Sequence, residues 1–396
     1  MPALELSDLE LAAGTAIGGE STVPLPGTAL DAREALEQAC VAALVREPCI
    51  VSFSGGRDSS AVLATAVRVA RERGLAAPIP VSLRFPDVPS TEESSWQELV
   101  IRHMRLTDWV RIEIGDELDF LGPWARAGLS KHGLLWPANA HFHSPIFERA
   151  GGGSVLTGLD GDGLLGGWRW RRAQAVLERR ARPAPRDVMR VALALAPESV
   201  RAARLARRQQ LHVSWLRPDA RRLLAGLLAR ERASEPRPWP ARVAWFAGRR
   251  YLKLGVHSLA LLAEAHDVEV HHPLLDPTFL SALAARGGPA GYGTRQEATR
   301  ALFGDLLPAE LVVRPTKGEF GMALWGPQAR RFAAHRDGAG VDPELVDADL
   351  LRAVWSKPNP PLGAATLLQH AWLEATRSSA GELQPTPSAW SGPSGG

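Results

Sequence analysis

The stretch from Cys49 to Ser60 constrains the fold more than any other. Cys49-Ile50-Val51-Ser52-Phe53 is an apolar run of strand length, and Ser54-Gly55-Gly56-Arg57-Asp58-Ser59-Ser60 follows it at once. A helical pattern then starts at the two serines. Val62, Leu63, Ala66, Val67 and Ala70 share one face, and Gly74 ends it. Glycines let the backbone approach a ligand without a Cβ clash. The free N–H groups and dipole of a helix N-terminus favour an anion. The spacing therefore predicts a phosphate site between a strand and a helix over 59–73.

The surrounding chain repeats the alternation. A helix is predicted over 31–47, with Asp31 as its cap and Ala35, Leu36, Ala39, Cys40, Ala43 and Leu44 on one face. Ile79 to Phe85 and Trp109 to Ile114 read as strands, with a helix opened by Thr91-Glu92-Glu93 between them. Residues 140–150 look helical, and Ser154 to Thr157 reads as another strand. This succession predicts a parallel sheet flanked by helices, with ligands at the carboxyl ends of its strands. From Trp168 to about Ala265 the pattern is helical, broken at Pro183, Pro185, Pro218 and Pro236–Pro240, and 242–266 reads as one helix. The expected organisation is a short segment and linker over 1–30, an α/β core over 31–167 and a helical, Arg-rich lobe with C-terminal helices over 168–377. A Ser/Pro/Gly-rich disordered tail over 378–396 follows.

Composition narrows the class. With 45% hydrophobic residues, the 396-residue chain can bury a substantial core. Only Cys40 and Cys49 occur, so a disulfide framework or Cys-based metal site is not expected and a reducing compartment fits. No run of about 18 uncharged apolar residues occurs, so no membrane span is expected. Glu5, Asp8 and Glu10 without a basic n-region argue against a secretory signal. The expectation is a soluble cytoplasmic protein. The net charge of +3 conceals an asymmetry: residues 168–250 hold 21 Arg and 6 acidic residues, +15, which leaves −12 elsewhere. That lobe reads as a solvated helical face or as a docking surface for an acidic peptide or partner protein; nucleic acid is the less expected partner.

The glycine turn lacks the Gly-Lys-Ser/Thr of a Walker loop and the Gly-x-Gly-x-x-Gly of a dinucleotide fingerprint. It has Asp58 where a P-loop has its Lys. A carboxylate beside phosphates needs a divalent cation between them, so Asp58 reads as a Mg²⁺ ligand. Here the chain resembles a known family. Ser54 to Ser60 resembles the pyrophosphate loop (PP-loop) of adenylating ATP pyrophosphatases, which cleave ATP between the α and β phosphates. Leu156-Thr157-Gly158-Leu159-Asp160-Gly161-Asp162-Gly163-Leu164-Leu165-Gly166-Gly167-Trp168 looks like the second ATP/Mg motif of asparagine synthetases. Val268 to Asp276, with Leu307-Pro308, Arg314 and Lys317-Gly318-Glu319-Phe320, looks like their C-terminal signature. The resemblance covers roughly residues 35–330.

The resemblance implies a five-stranded parallel sheet of the adenine nucleotide alpha hydrolase-like type. It implies ATP and Mg²⁺ as cofactors and a synthetase that makes an acyl-adenylate. Ser54, Gly55, Gly56, Ser59 and Ser60 would cradle the pyrophosphate. Phe53 and Phe85 would flank the adenine or ribose, and Thr157 and Gly158 would add backbone contacts. Asp58 and Asp162 would hold Mg²⁺. Lys317 would lie near the α-phosphate and stabilise charge that grows in the transition state. Glu269 could take part in proton transfer or substrate positioning, or form an ion pair with one of the many Arg. Asp276-Pro277 reads as a helix cap with Pro at N1. Neither His271-His272 nor His141/His143 is assigned a metal.

The departures matter too. Glutamine-dependent asparagine synthetases begin with a glutaminase domain whose nucleophile is an N-terminal Cys. Here Pro2 follows Met1, and only about 48 residues precede the first strand, so glutamine hydrolysis is not expected. After the first Gly of the second motif, asparagine synthetases have Glu and β-lactam synthetases have Tyr; this chain has Leu159. The usual Glu after the motif's Asp is Gly163. The leading expectation is an ATP-dependent amide-forming ligase acting on a small-molecule or peptide carboxylate and an amine, as lasso-peptide macrolactam synthetases of this superfamily do. The alternatives are an ammonia-dependent asparagine synthetase, or one fed by a separate glutaminase; a tRNA-modifying ATP pyrophosphatase; and a non-catalytic nucleotide-binding homologue.

Overall fold

Five short strands form one parallel sheet: β1 (Cys49–Ser52), β2 (Ile79–Arg84), β3 (Val110–Glu113), β4 (Ser154–Leu156) and β5 (Glu269–His271), in the order β3-β2-β1-β4-β5. The computed structural model describes residues 5–20, 23–208, 211–315, 317–335 and 340–382. Ile50 of β1 lies opposite Ile79 of β2 and Val155 of β4, so β1 is central. It is buried on both faces because alternate residues point to opposite sides. Cys49, Val51 and Phe53 enter one apolar cluster with the helices Ala32–Leu44 and Arg57–Arg73. Ile50 enters the other, with Ile146 and Phe147 of helix Ser144–Ala150.

The chain runs β1, β2, β3 towards one edge, then crosses to place β4 on the other side of β1. The strand order therefore reverses between β1 and β4. At such a point the loops leaving two adjacent parallel strands diverge and open a crevice. The glycine turn after β1 and the 157–160 turn after β4, which leads into helix Gly161–Gly166, both emerge there.

Three expectations change. The helix after β1 starts at Arg57, not Ser59, because Gly56 is its extended N-cap. The helix expected over 242–266 is two, Trp239–Ala247 and Arg250–Glu264. The N-terminal segment explains the break. Glu20 N donates to Gly248 O at 2.9 Å, and Arg250 N donates to Gly18 O at 3.0 Å, so this stretch pairs with another segment instead of continuing a helix. The last helix, Leu362–Glu382, runs past the predicted start of the tail, and the tail beyond 382 lies outside the described residues.

Residues 5–20 are also more than a linker. Ser7 and Glu10 form a capping box on helix Asp8–Ala13, and Trp215 Nε1 donates to Ala12 O at 2.8 Å. Part of the lobe's charge is internal. Arg242 and Arg249 are buried, and Arg172 pairs with the buried Asp187. No described helix is long and apolar enough to cross a membrane.

Candidate active site

The glycine turn is closed by its own serines. Ser59 Oγ accepts from Ser54 N at 3.3 Å and lies 3.1 Å from Ser54 Oγ. Gly55 has φ 77°, and a Cβ there would stand 2.8 Å from Gln97 Cγ, so this corner requires glycine. A second segment clamps the turn from outside. Arg314, buried, donates through Nη1 to Gly55 O at 3.1 Å and through Nη2 to Glu93. Arg57 donates to Arg314 O, and the Glu93 carboxylate also accepts from Gly318 N. The Glu93–Arg314 pair thus ties the segment carrying Lys317 to the loop after β1.

The loop after β4 comes as close as backbone permits. A Cβ on Gly158 would lie 2.6 Å from Ser59 N, and one on Gly161 would lie 2.4 Å from Asp58 Cγ. Only glycines let this loop lie against the start of helix Arg57–Arg73. Thr157 Oγ1 lies 2.6 Å from Nδ1 of His272, whose imidazole burial pushes down to about 3. His143 is held at about 4 for the same reason, and both rings are therefore neutral at neutral pH.

Two carboxylates meet two cations where the loops touch. Arg295 Nη2 lies 2.9 Å from Asp58 Oδ2 and also contacts Asp162 Oδ1; Lys317 Nζ donates to Asp162 Oδ2 at 2.9 Å. Burial pushes Asp58 up to about 6 against the pull of Arg295, and the neighbouring Asp162 charge adds to the rise. For Asp162, burial is outweighed by Lys317 and Arg295, which hold its carboxyl low. Asp162 Oδ1 is buried and has a charge contact with Arg295 but no aligned hydrogen bond. One nitrogen reaches both carboxylates, so a cation placed between them can too. This fits a divalent ion whose remaining ligands come from phosphates and water.

The crevice is a cavity of about 270 Å³, lined by Ser54, Gly56, Asp58, Ser59, Thr157 and Gly158, and closed by Leu159, Asp160, His143, Arg295, Arg314 and Lys317. Other expected site residues lie elsewhere. Phe53 is buried in the core beneath the loop. Phe85 packs on Phe142 and Phe320, and only Phe142 of the three reaches the cavity. Ser60 is fully buried. Glu269 sits at the amino end of β5, away from the crevice, exposed and paired with Arg46; of its two roles, the structure shows the ion pair. Asp276 caps helix Pro277–Gly287 by accepting from Thr278 N and Phe279 N.

Sequence reasoning missed Glu93, Arg295, Asp160 and Tyr251. Nothing in the spacing singles out Arg295, which lies far along the chain on helix Arg295–Phe303. Asp160 stood inside the quoted motif, but its partner Tyr251 lies 91 residues away.

No curated protein matches the chain. The family model for asparagine synthase matches residues 31–378, a span that contains every residue of the cavity, and the chain belongs to the asparagine synthase family.

Proposed function

We propose that this chain is an ATP- and Mg²⁺-dependent amide-forming ligase that activates a carboxylate as acyl-AMP, releases pyrophosphate, and transfers the acyl group to an amine. The family supplies the coarser class, an ATP-dependent ligase or amidotransferase forming C–N bonds. The observation that carries the finer reading is the meeting of Asp58, Asp162 and Lys317 at the start of helix Arg57–Arg73.

In this reading the N-terminus of that helix, with Ser54 and Ser59, holds the pyrophosphate. Asp58 and Asp162 would hold Mg²⁺, which when bound offsets the phosphate charge. Lys317, on a segment fixed through Glu93 and Arg314, faces the charge that develops as the α–β bond breaks. Leu159 and Phe142 give the nucleophile side an apolar wall, which suits an acyl group other than free aspartate. An acidic peptide is the substrate class we favour. A cleft of about 610 Å³ lined by Arg171, Arg172, Arg180 and Arg286 supports it, and its wall includes Thr294 and Glu297, from the same helix start as Arg295.

ATP–pyrophosphate exchange stimulated by a carboxylate, and lost in Asp58→Ala, is the expected result. Absence of exchange with L-aspartate, with L-glutamate and with short aspartate-containing peptides at saturating Mg²⁺ would overturn the reading. Exchange on L-aspartate alone, with amide formed from ammonium, would make the protein an ammonia-dependent asparagine synthetase.

A further inference from the structure

A further cleft, of about 410 Å³, opens in the Arg-rich lobe between helices Arg171–Leu177, Pro185–Leu195 and Glu198–Arg208. Its floor is apolar: Trp170, Ala173, Leu193 and Leu205. Trp170 is fixed in place, since its Nε1 donates to Glu235 O at 2.8 Å. Apolar surface continues out of the cleft, because Met189, one turn before Leu193 on the same helix face, is 60% exposed. The rim is cationic: Arg169, Arg171, Arg172 and Arg190. Arg172 and Arg190 share one carboxylate, the buried Asp187, which also accepts from Ala184 N at 2.9 Å. Among the described residues no acidic side chain lines the cleft. Arg201 stands over the Trp170 ring at 5.4 Å, and its buried Nε has no hydrogen-bond partner among the described residues. Two of the rim residues, Arg171 and Arg172, also line the cleft of about 610 Å³ that reaches Thr294 beside Arg295. The two clefts therefore adjoin, and one extended chain can occupy both.

Resting on the ligase reading above, we propose that this cleft holds a recognition segment of the peptide substrate, remote from the reacting carboxylate. The segment places one large apolar side chain on the floor and Asp or Glu on either side of it against the arginine rim. An apolar floor inside a cationic rim is complementary to that combination and to neither half alone. A nucleic-acid backbone would meet the rim and leave Leu193, Leu205 and Met189 uncovered. Binding here is made equally in the ground state and the transition state, so it lowers KM and leaves kcat to the catalytic cavity.

The test uses the full chain and two peptides that differ at one residue. Each carries one aspartate, a Gly/Ser linker made in several lengths, and the segment Glu-Glu-Trp-Glu-Glu or Glu-Glu-Gly-Glu-Glu. By calorimetry the Trp peptide should bind about tenfold more tightly or better, the scale of burying one large apolar side chain. Its KM for ATP–pyrophosphate exchange should fall by the same factor, with kcat within about twofold. Leu193→Gln with Leu205→Gln should erase the difference between the peptides, and calorimetric ATP binding checks that this variant is folded. Equal affinity of the wild-type protein for the two peptides would overturn the proposal, as would a Trp advantage that survives in the variant or one that leaves KM unchanged. Equal peptide affinities with binding to phosphatidylserine vesicles, lost in the variant, would give the face to a membrane and overturn it too. Self-association lost in the variant would do the same in favour of a second copy of the chain. Absence of exchange with any carboxylate, alongside an intact Trp advantage in binding, would overturn the ligase reading and the substrate role with it. Equal affinities with exchange intact would overturn this proposal alone.

Discussion

Asp58→Asn should make the protein more stable and inactive. The Asp58 side chain is only 15% exposed, and burial lifts its carboxyl from 3.8 to about 6 although Arg295 contacts it. At about 1.4 kcal/mol per pH unit, that rise sets roughly 3 kcal/mol against the ionised native form. The sign follows from proton binding. Between pH 3.8 and 6 the native state keeps a proton that the unfolded chain has released, so stability falls as pH rises, and above pH 6 the full cost is present. Asparagine removes the ionisation. That cost is already net of the Arg295 attraction, and in the variant Arg295 keeps Asp162. The expectation is a gain of about 2–3 kcal/mol at pH 7.5 that shrinks to nearly nothing near pH 4. Urea unfolding followed by tryptophan fluorescence across pH 4–8 measures it, and ATP–pyrophosphate exchange should be lost in the same variant. A variant less stable than wild type at pH 7.5, or a difference independent of pH, would refute the reasoning.

Glu93→Gln should cost about 3 kcal/mol, because it leaves the buried Arg314 guanidinium without its carboxylate. It should also speed amide hydrogen exchange at Gly318; unchanged exchange there would show that the clamp does not hold the Lys317 segment. Gly158→Ala should weaken ATP binding at least tenfold by calorimetry, since its Cβ would push the β4 loop off Ser59 N; unaltered affinity would mean that the two loops need not touch. Glu269→Gln should change stability by no more than about 1 kcal/mol and leave pyrophosphate exchange unchanged, as expected of an exposed ion pair; a large loss of exchange would return Glu269 to the site. Arg171→Glu with Arg286→Glu should abolish calorimetric binding of an acidic peptide such as hexaglutamate while sparing ATP binding, and retained peptide binding would place the substrate elsewhere.

The sequence by itself determined the local elements around the site. Strand, glycine turn and helix were legible from Cys49 to Arg73 because apolar periodicity and glycine placement are written in neighbouring residues. The parallel sheet followed from the β-α alternation, and Asp58, Asp162 and Lys317 followed from motifs that each lie within a short span. The fate of Phe53 and Glu269 was not legible. Which face of a strand meets the cavity, and which strand end a carboxylate occupies, depend on register and on partners such as Arg46 far along the chain. Only the tertiary structure brought Arg295 between the two carboxylates, Glu93 under Arg314, and Tyr251 onto Asp160. Each is a pairing across a long sequence separation, where a charge or hydroxyl gains its meaning from burial and from the group it faces. Glycine shows the same division. The sequence says where a side chain is missing, and the fold says that Gly163 leaves room for Asp160 while Gly158 and Gly161 let two loops close on one cavity.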